Sequence, residues 1–226
     1  MKILFNNLVL SATVTALTAD ANYPATNIQS PFLRKRFQST NATDMLTITF
    51  SALTSINSIF YGYTNASTVT ARLYNSGGLI ITYTGISPSK FFADTSVTYV
   101  EIDLIASATA YMGGVGIGKS ETLDPPESFW EETFDDRSIV SESQTGQVLQ
   151  EYVEPLRIYN FNVPTITRDE VRAFQLVYLK YGRGALLWLD PITDALPVIY
   201  CRLTEPIATT KNKRIYTLKL TLKEAR

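Results

Sequence analysis

The pattern with the most chemical content in this chain is Gly113-Gly114-Val115-Gly116-Ile117-Gly118-Lys119-Ser120. Through Gly113, Gly118, Lys119 and Ser120 it satisfies GxxxxGK[ST], in which backbone amides cradle phosphates, lysine adds charge and serine holds magnesium. Leu186-Leu187-Trp188-Leu189-Asp190 adds an apolar strand ending in a carboxylate, as on the magnesium side of such sites. A phosphate loop, however, works by opening onto a helix whose N-terminus completes the anion site. Here Asp124-Pro125-Pro126 follows almost at once, and Val115 and Ile117 alternate with glycine as in an edge strand. The motif therefore reads as a glycine-rich strand and turn, and no nucleotide or other cofactor is expected.

Other candidates are less specific. Arg34-Lys35-Arg36, beside Phe37, forms a basic cluster able to meet a phosphate or an acidic partner, or to serve as solvated and salt-bridging charge. Tyr61, Tyr63, Tyr74 and Tyr83 could stack on sugar rings or pack across strands. Glu131-Glu132 and Asp135-Asp136 lack calcium-loop spacing and the facing geometry of glycosidase carboxylates. With no histidine in the chain, Ser-His-Asp and Cys-His relays and His-liganded zinc are excluded. Cys201 is the single cysteine, so no intrachain disulfide can form. The residues retained as candidate contacts to a ligand or partner are Arg34, Lys35, Arg36, Tyr61 and Tyr63. No catalytic residue and no metal ligand set is expected, so the protein is read as non-enzymatic.

The elements that must carry these side chains are mainly strands. The 226 residues include 45% apolar and 12% aromatic side chains, enough for one large core or two smaller ones. Leu46–Phe50, Val69–Leu73 and Val100–Leu104 alternate apolar and polar residues, which predicts strands with one buried face. Asn75-Ser76-Gly77-Gly78 and Ser87-Pro88 supply turns. Charge is uneven: nine charged side chains lie in the first 100 residues and 32 in the last 126. Between the two regions the acidic stretch around Pro125-Pro126 predicts a linker. The expected organisation is an antiparallel β-sandwich over 1–120, a linker over 121–140 and a β-rich α+β domain over 141–226. In the last, the capping box Thr167-Arg168-Asp169-Glu170 followed by Val171, Phe174, Tyr178 and Tyr181 predicts one main helix at about 168–182.

The formal net charge of −1 gives no global case for nucleic acid or an anionic membrane. No run approaches the length of a membrane-spanning helix. At the N-terminus Asn6-Asn7 interrupts the apolar run that a signal peptide needs, so none is expected.

Asn22-Tyr23-Pro24-Ala25-Thr26-Asn27-Ile28 followed by Arg36-Phe37-Gln38-Ser39 resembles the opening of discoidin-like, galactose-binding-like sandwiches of jelly-roll form. Phe37 stands where that pattern commonly has tryptophan. Thr68–Tyr74 resembles a middle strand of that fold, and Ala110–Gly118 its closing strand. Thr167–Asp190 and Tyr216–Arg226 resemble parts of small distal-tail and minor tail proteins of tailed phages. The resemblance implies a virion structural protein of a tail tip or baseplate, made in the host cytoplasm. Its implied partners are other tail or baseplate proteins and further copies of itself in a symmetric ring, six being one candidate order. The alternative it leaves open is a glycan-binding adhesin module, with carbohydrate as partner.

Overall fold

The structure, a computed structural model, describes residues 2–30, 32–122, 130–135, 139–142, 148–151, 155–166, 172, 175–176, 179, 186–190, 198–204, 208–212 and 215–225. The chain divides into two compact units. The first comprises Met1–Thr122, Leu187–Tyr200 and Arg226; the second comprises Leu123–Leu186 and Cys201–Ala225.

Nine strands run through the described residues before 123: β1 (Lys2–Leu4), β2 (Thr13–Ala16), β3 (Phe37–Gln38), β4 (Thr43–Thr64), β5 (Thr68–Asn75), β6 (Gly78–Tyr83), β7 (Ser89–Ile105), β8 (Tyr111–Gly118) and β9 (Glu121–Thr122). The three alternating segments of the sequence are neighbours in one antiparallel ladder. Leu46 faces Ile102 and Ile48 faces Val100 across β4 and β7, while Val69 faces Leu104 across β5 and β7. Hydrogen-bonded order runs β3-β8-β4-β7-β5-β6, with β2 added to β4. The 22-residue strand β4 serves two pairings on one side: its first half takes β2 and its last half β8. Register shifts between Thr49 and Thr54 and between Ile56 and Ser58 separate the halves. Bulges of this kind bend a strand and increase its twist. Leu46 and Ile48 from one half and Ile56 and Ile59 from the other then meet in a single core with Leu73, Ile102, Val115 and Ile117. The unit is thus an antiparallel β-sandwich. Short 3-10 turns at Leu8–Ser11 and Ala25–Gln29 lie against β8 and contribute Val9, Ala25 and Ile28 to the core.

A smaller ladder also belongs to this unit. On one side β1 pairs with β9, and on the other with β14 (Leu186–Asp190), where Ile3 faces Leu189 and Leu4 faces Trp188.

The second unit is built on β13 (Leu156–Ile166) and β17 (Ile215–Glu224), paired along most of their length. To them are added β10 (Trp130–Asp135) on β13, the C-terminal part of β15 (Ile199–Leu203) on β17, and the hairpin partner β16 (Ala208–Asn212). A separate hairpin joins β11 (Ile139–Glu142) and β12 (Val148–Glu151). Leu220 and Leu222 are buried, and Lys219, which precedes them, is exposed. Within the acidic stretch Glu132 pairs with Arg157 of β13 and Asp135 with Lys223 of β17, so these carboxylates lie in a ladder of cross-strand charge. Cys201 is buried, and desolvation pushes its thiol far above the usual range.

The α+β class expected for the C-terminal part is corrected to β. Among the described residues there is no helix of seven or more residues. Most of 168–182 lies outside the described residues; Arg172, Gln175, Leu176 and Leu179, which are described, have helical backbone and are exposed. The physical reason for the correction is that period-2 alternation dominates here, and strands such as Leu156–Ile166 and Ile215–Glu224 satisfy their backbone groups in each other. No described helix is long and apolar enough to cross a membrane.

Candidate functional site

The glycine motif is the seat on which the candidate site is built. Gly113 to Gly118 lie in β8, a strand rather than a loop opening onto a helix. A methyl group added at Gly116 would sit 2.4 Å from Cδ1 of Trp188, and one at Gly114 would sit 2.6 Å from the Leu33 side chain. At Gly113 it would meet the Leu33 carbonyl oxygen at 2.2 Å and Cβ of Tyr63 at 2.9 Å. At Gly118 it would meet the Asn6 carbonyl oxygen at 2.6 Å. The glycines therefore exist for close approach, which is what an interior glycine in a strand commonly marks. The remaining motif residues are committed elsewhere. Lys119 bonds Asp94 at 2.6 Å, which holds that carboxyl below its usual range. The Ser120 amide and hydroxyl both donate to Asn57 Oδ1, at 2.8 and 3.2 Å. Leu187–Asp190 does meet the glycines, but through the indole of Trp188, while Asp190 accepts a bond from Ser89.

Leu33 anchors the segment that carries the basic residues. Because Leu33 sits on the glycines of β8, the following turn, closed by Lys35 N–H donating to Phe32 O, presents Arg34 and Lys35 to solvent. Arg36 turns inward and is half-buried. Its guanidinium carbon lies 4.3 Å from the ring centre of Tyr111 and 5.7 Å from that of Tyr23. The segment is fixed on both sides. Asn27 donates to the Arg36 carbonyl, the Gln38 amide donates to the Tyr23 carbonyl, and Gln38 lies opposite Tyr111 in the β3–β8 ladder.

Tyr63, at the end of β4, is 5.7 Å ring to ring from Tyr111 and 46% exposed. It is the one non-glycine residue with positive φ (53°) among those described. Left-handed backbone in a bulky residue costs about 1–3 kcal/mol and persists where the surroundings enforce it. The structure thus gathers Arg36 and Tyr63 of the sequence candidates around Tyr111, with Arg34 and Lys35 on the adjoining turn.

Tyr61 is elsewhere. It is buried in the sandwich core, its hydroxyl donates to the Ile86 carbonyl at 2.7 Å, and burial raises its phenol pKa. Residues two apart in a strand share a face, and the left-handed backbone at Tyr63 breaks that rule. The other tyrosines pack across strands: Tyr74 stacks on Tyr99 at 4.4 Å and Tyr83 on Phe92 at 5.2 Å. Sequence reasoning missed Tyr23 and Tyr111 as site residues. The available signal was that each lies within a stretch already singled out, Tyr23 before Pro24 and Tyr111 two residues before Gly113. Among the described residues no group of three His, Cys, Asp or Glu side chains is arranged to hold a metal ion.

No family model matches this chain, and no curated protein matches it. Solved structures do. Chitosan-binding module 1 of a chitosanase/glucanase from Paenibacillus sp. IK-5 is similar at 16% identity and a TM-score of 0.43, over 50% of this chain and 98% of the module. The lectin binding domain of Lectinolysin, as a mutant complexed with Lewis b, is similar at 13% identity and 0.45, over 53% and 99%. The family 32 CBM of C. perfringens NanJ, in complex with galactose, is similar at 12% identity and 0.44, over 54% of this chain and all of that one (100%). In each case about half of this chain matches essentially the whole of a carbohydrate-recognising module.

Proposed function

We propose that this protein is a non-enzymatic carbohydrate-binding module whose binding surface is the Tyr23–Arg36–Tyr111–Tyr63 cluster. The observation that carries the reading is Tyr63, a ring held exposed at a strained backbone angle beside a second ring on rigid strands. Backbone outliers of this kind cluster at ligand clamps and active sites, where the strain is part of the function. Apolar ring faces with a few fixed polar groups suit the C–H faces and hydroxyls of sugars.

The test is binding of the purified protein to a glycan array, followed by titration calorimetry on the best ligand. Tyr63→Gly is expected to weaken binding about tenfold, which is ~1.4 kcal/mol. It should leave stability within about 1 kcal/mol, because relief of the left-handed strain offsets the lost ring contact. An array without signal, or unchanged affinity in Tyr63→Gly, would sink the reading.

A second reading is a self-assembling structural subunit, such as the tail-tip and baseplate proteins of the resemblance, located in a virion. One observation favours self-assembly. The edge strand β6 exposes Leu79 (55%), Ile80 (41%) and Ile81 (38%), and no residue from Leu73 to Ser89 carries a charge. Natural edges are normally guarded by charge, proline or brevity. The occupant proposed is β6 of a second copy, since a neutral strand can pair antiparallel with itself without opposing like charges. Such pairing is isologous and gives a two-fold dimer; a ring needs a further, heterologous contact. Sedimentation analysis is expected to show a dimer that Ile80→Lys converts to monomer. A wild-type protein monomeric at high micromolar concentration would rule this assembly out.

A further inference from the structure

Arg36 differs from Arg72 and Arg157 in what surrounds it. Arg72 lies 3.3 Å from Glu101 and 2.5 Å from Asp103, and Arg157 lies 3.5 Å from Glu132. No carboxylate of the described residues pairs with Arg36. Its side-chain hydrogen bond is from Nη2 to the neutral Gln38 Oε1 at 3.1 Å, and its Nε is buried without an acceptor. Its neighbours are aromatic: the guanidinium lies over the Tyr111 ring at 4.3 Å and within cation–π range of Tyr23 at 5.7 Å. Stacking uses the faces of a guanidinium and leaves its in-plane N–H groups for hydrogen bonds. Lys35, exposed one residue earlier, adds a second positive charge. Asp20, in the same turn as Tyr23, already has an oxygen on the Asn22 amide at 2.8 Å.

We infer that the ligand of this cluster is an acidic glycan, a uronic-acid sugar whose carboxylate is read by Arg36 while its ring lies against Tyr63 and Tyr111. This rests on the carbohydrate reading above and names its ligand class. A planar guanidinium matches a planar carboxylate with two parallel N–H···O bonds, a geometry that a lysine ammonium cannot reproduce. Recognition is local, because the chain as a whole carries a net charge of only −1. A nonspecific polyanion surface would instead need a basic stripe.

The experiment uses the full chain and hexasaccharides of galacturonate, mannuronate and hyaluronan, each beside its carboxyl-reduced form, which keeps the skeleton and removes the charge. At least one acid form is expected to bind tenfold or more tightly than its reduced partner. Arg36→Gln should abolish that preference, lowering affinity for the acid form at least tenfold more than for the reduced form. Arg36→Lys should restore only a small part of it, and exposed Lys35→Ala should lower acid binding about threefold. Equal affinity of acid and reduced form in the wild type, for every pair that binds, overturns the inference while leaving the carbohydrate reading in place. So does an Arg36→Gln loss that is equal for both forms. Binding of neither form, together with a silent array, overturns both. The wild-type comparison needs no variant, so it decides the matter even if Arg36→Gln folds poorly.

Discussion

Trp188→Ala is expected to destabilise the first unit by about 3–5 kcal/mol, the range for emptying a buried aromatic site. That is a large fraction of the roughly 5–15 kcal/mol that holds a typical domain together. Trp188 is 2% exposed, lies 4.7 Å from Tyr200 and 6.1 Å from Phe60 ring to ring, and covers Gly62, Gly114 and Gly116. The reciprocal change, Gly116→Ala, puts a methyl carbon 2.4 Å from the indole, closer than van der Waals contact allows. It should cost about 1–3 kcal/mol through forced displacement. Because both changes act on one contact, they should not add: in Gly116→Ala/Trp188→Ala the smaller side chain makes room for the methyl. Urea unfolding followed by far-ultraviolet circular dichroism measures all three. A Gly116→Ala protein as stable as wild type would show that the indole does not rest on this strand.

Asn7→Ala should be nearly as damaging, at about 2–4 kcal/mol, because three hydrogen bonds meet at one side chain. Its Nδ2 donates to the Val115 carbonyl at 2.9 Å, while its Oδ1 accepts from the amides of Val9 and Ile117 at 3.1 Å each. Asn7 thereby stands in for a neighbouring strand along β8, where the two-residue β3 ends too early to supply one. Each backbone group left unpaired in a buried site costs about 1–3 kcal/mol. Amide exchange offers a site-specific reading: the Ile117 amide should exchange much faster in Asn7→Ala, and unchanged protection there would refute the assignment. The residue that interrupts the apolar run at the N-terminus is thus a structural hydrogen-bonding hub.

Much of the first unit could be read in advance, because alternation with period 2 is a local property. The three segments read as strands are strands, and they pair with one another. The glycine motif was legible as a strand but not in its purpose. Trp188 stands 72 positions beyond Gly116 in sequence and Leu33 stands 80 before Gly113, and no local pattern announces such contacts. The same limit applies to the candidate site. Arg36 and Tyr63 were singled out by residue type, but Tyr111, the ring that joins them, was visible only once β3 and β8 were paired. Tyr61 and Tyr63 were grouped by residue type, which does not show that one ring lies in the core and the other, at a left-handed residue, on the surface. The capping box near 167 promised an α+β class, whereas the described elements after residue 130 are dominated by long-range strand ladders.

The position of Trp188 also sets a condition on the order of folding. During synthesis β8 emerges well before the segment that covers its glycines, and that segment belongs to the same unit. The sandwich must therefore wait for about seventy further residues before its last large side chain can dock. Contacts of such sequence separation slow folding and prolong exposure of unpaired apolar surface. A nascent chain stalled after Thr122 would hold a vacant glycine face and the uncharged β6 edge together, which makes it a natural client for chaperones.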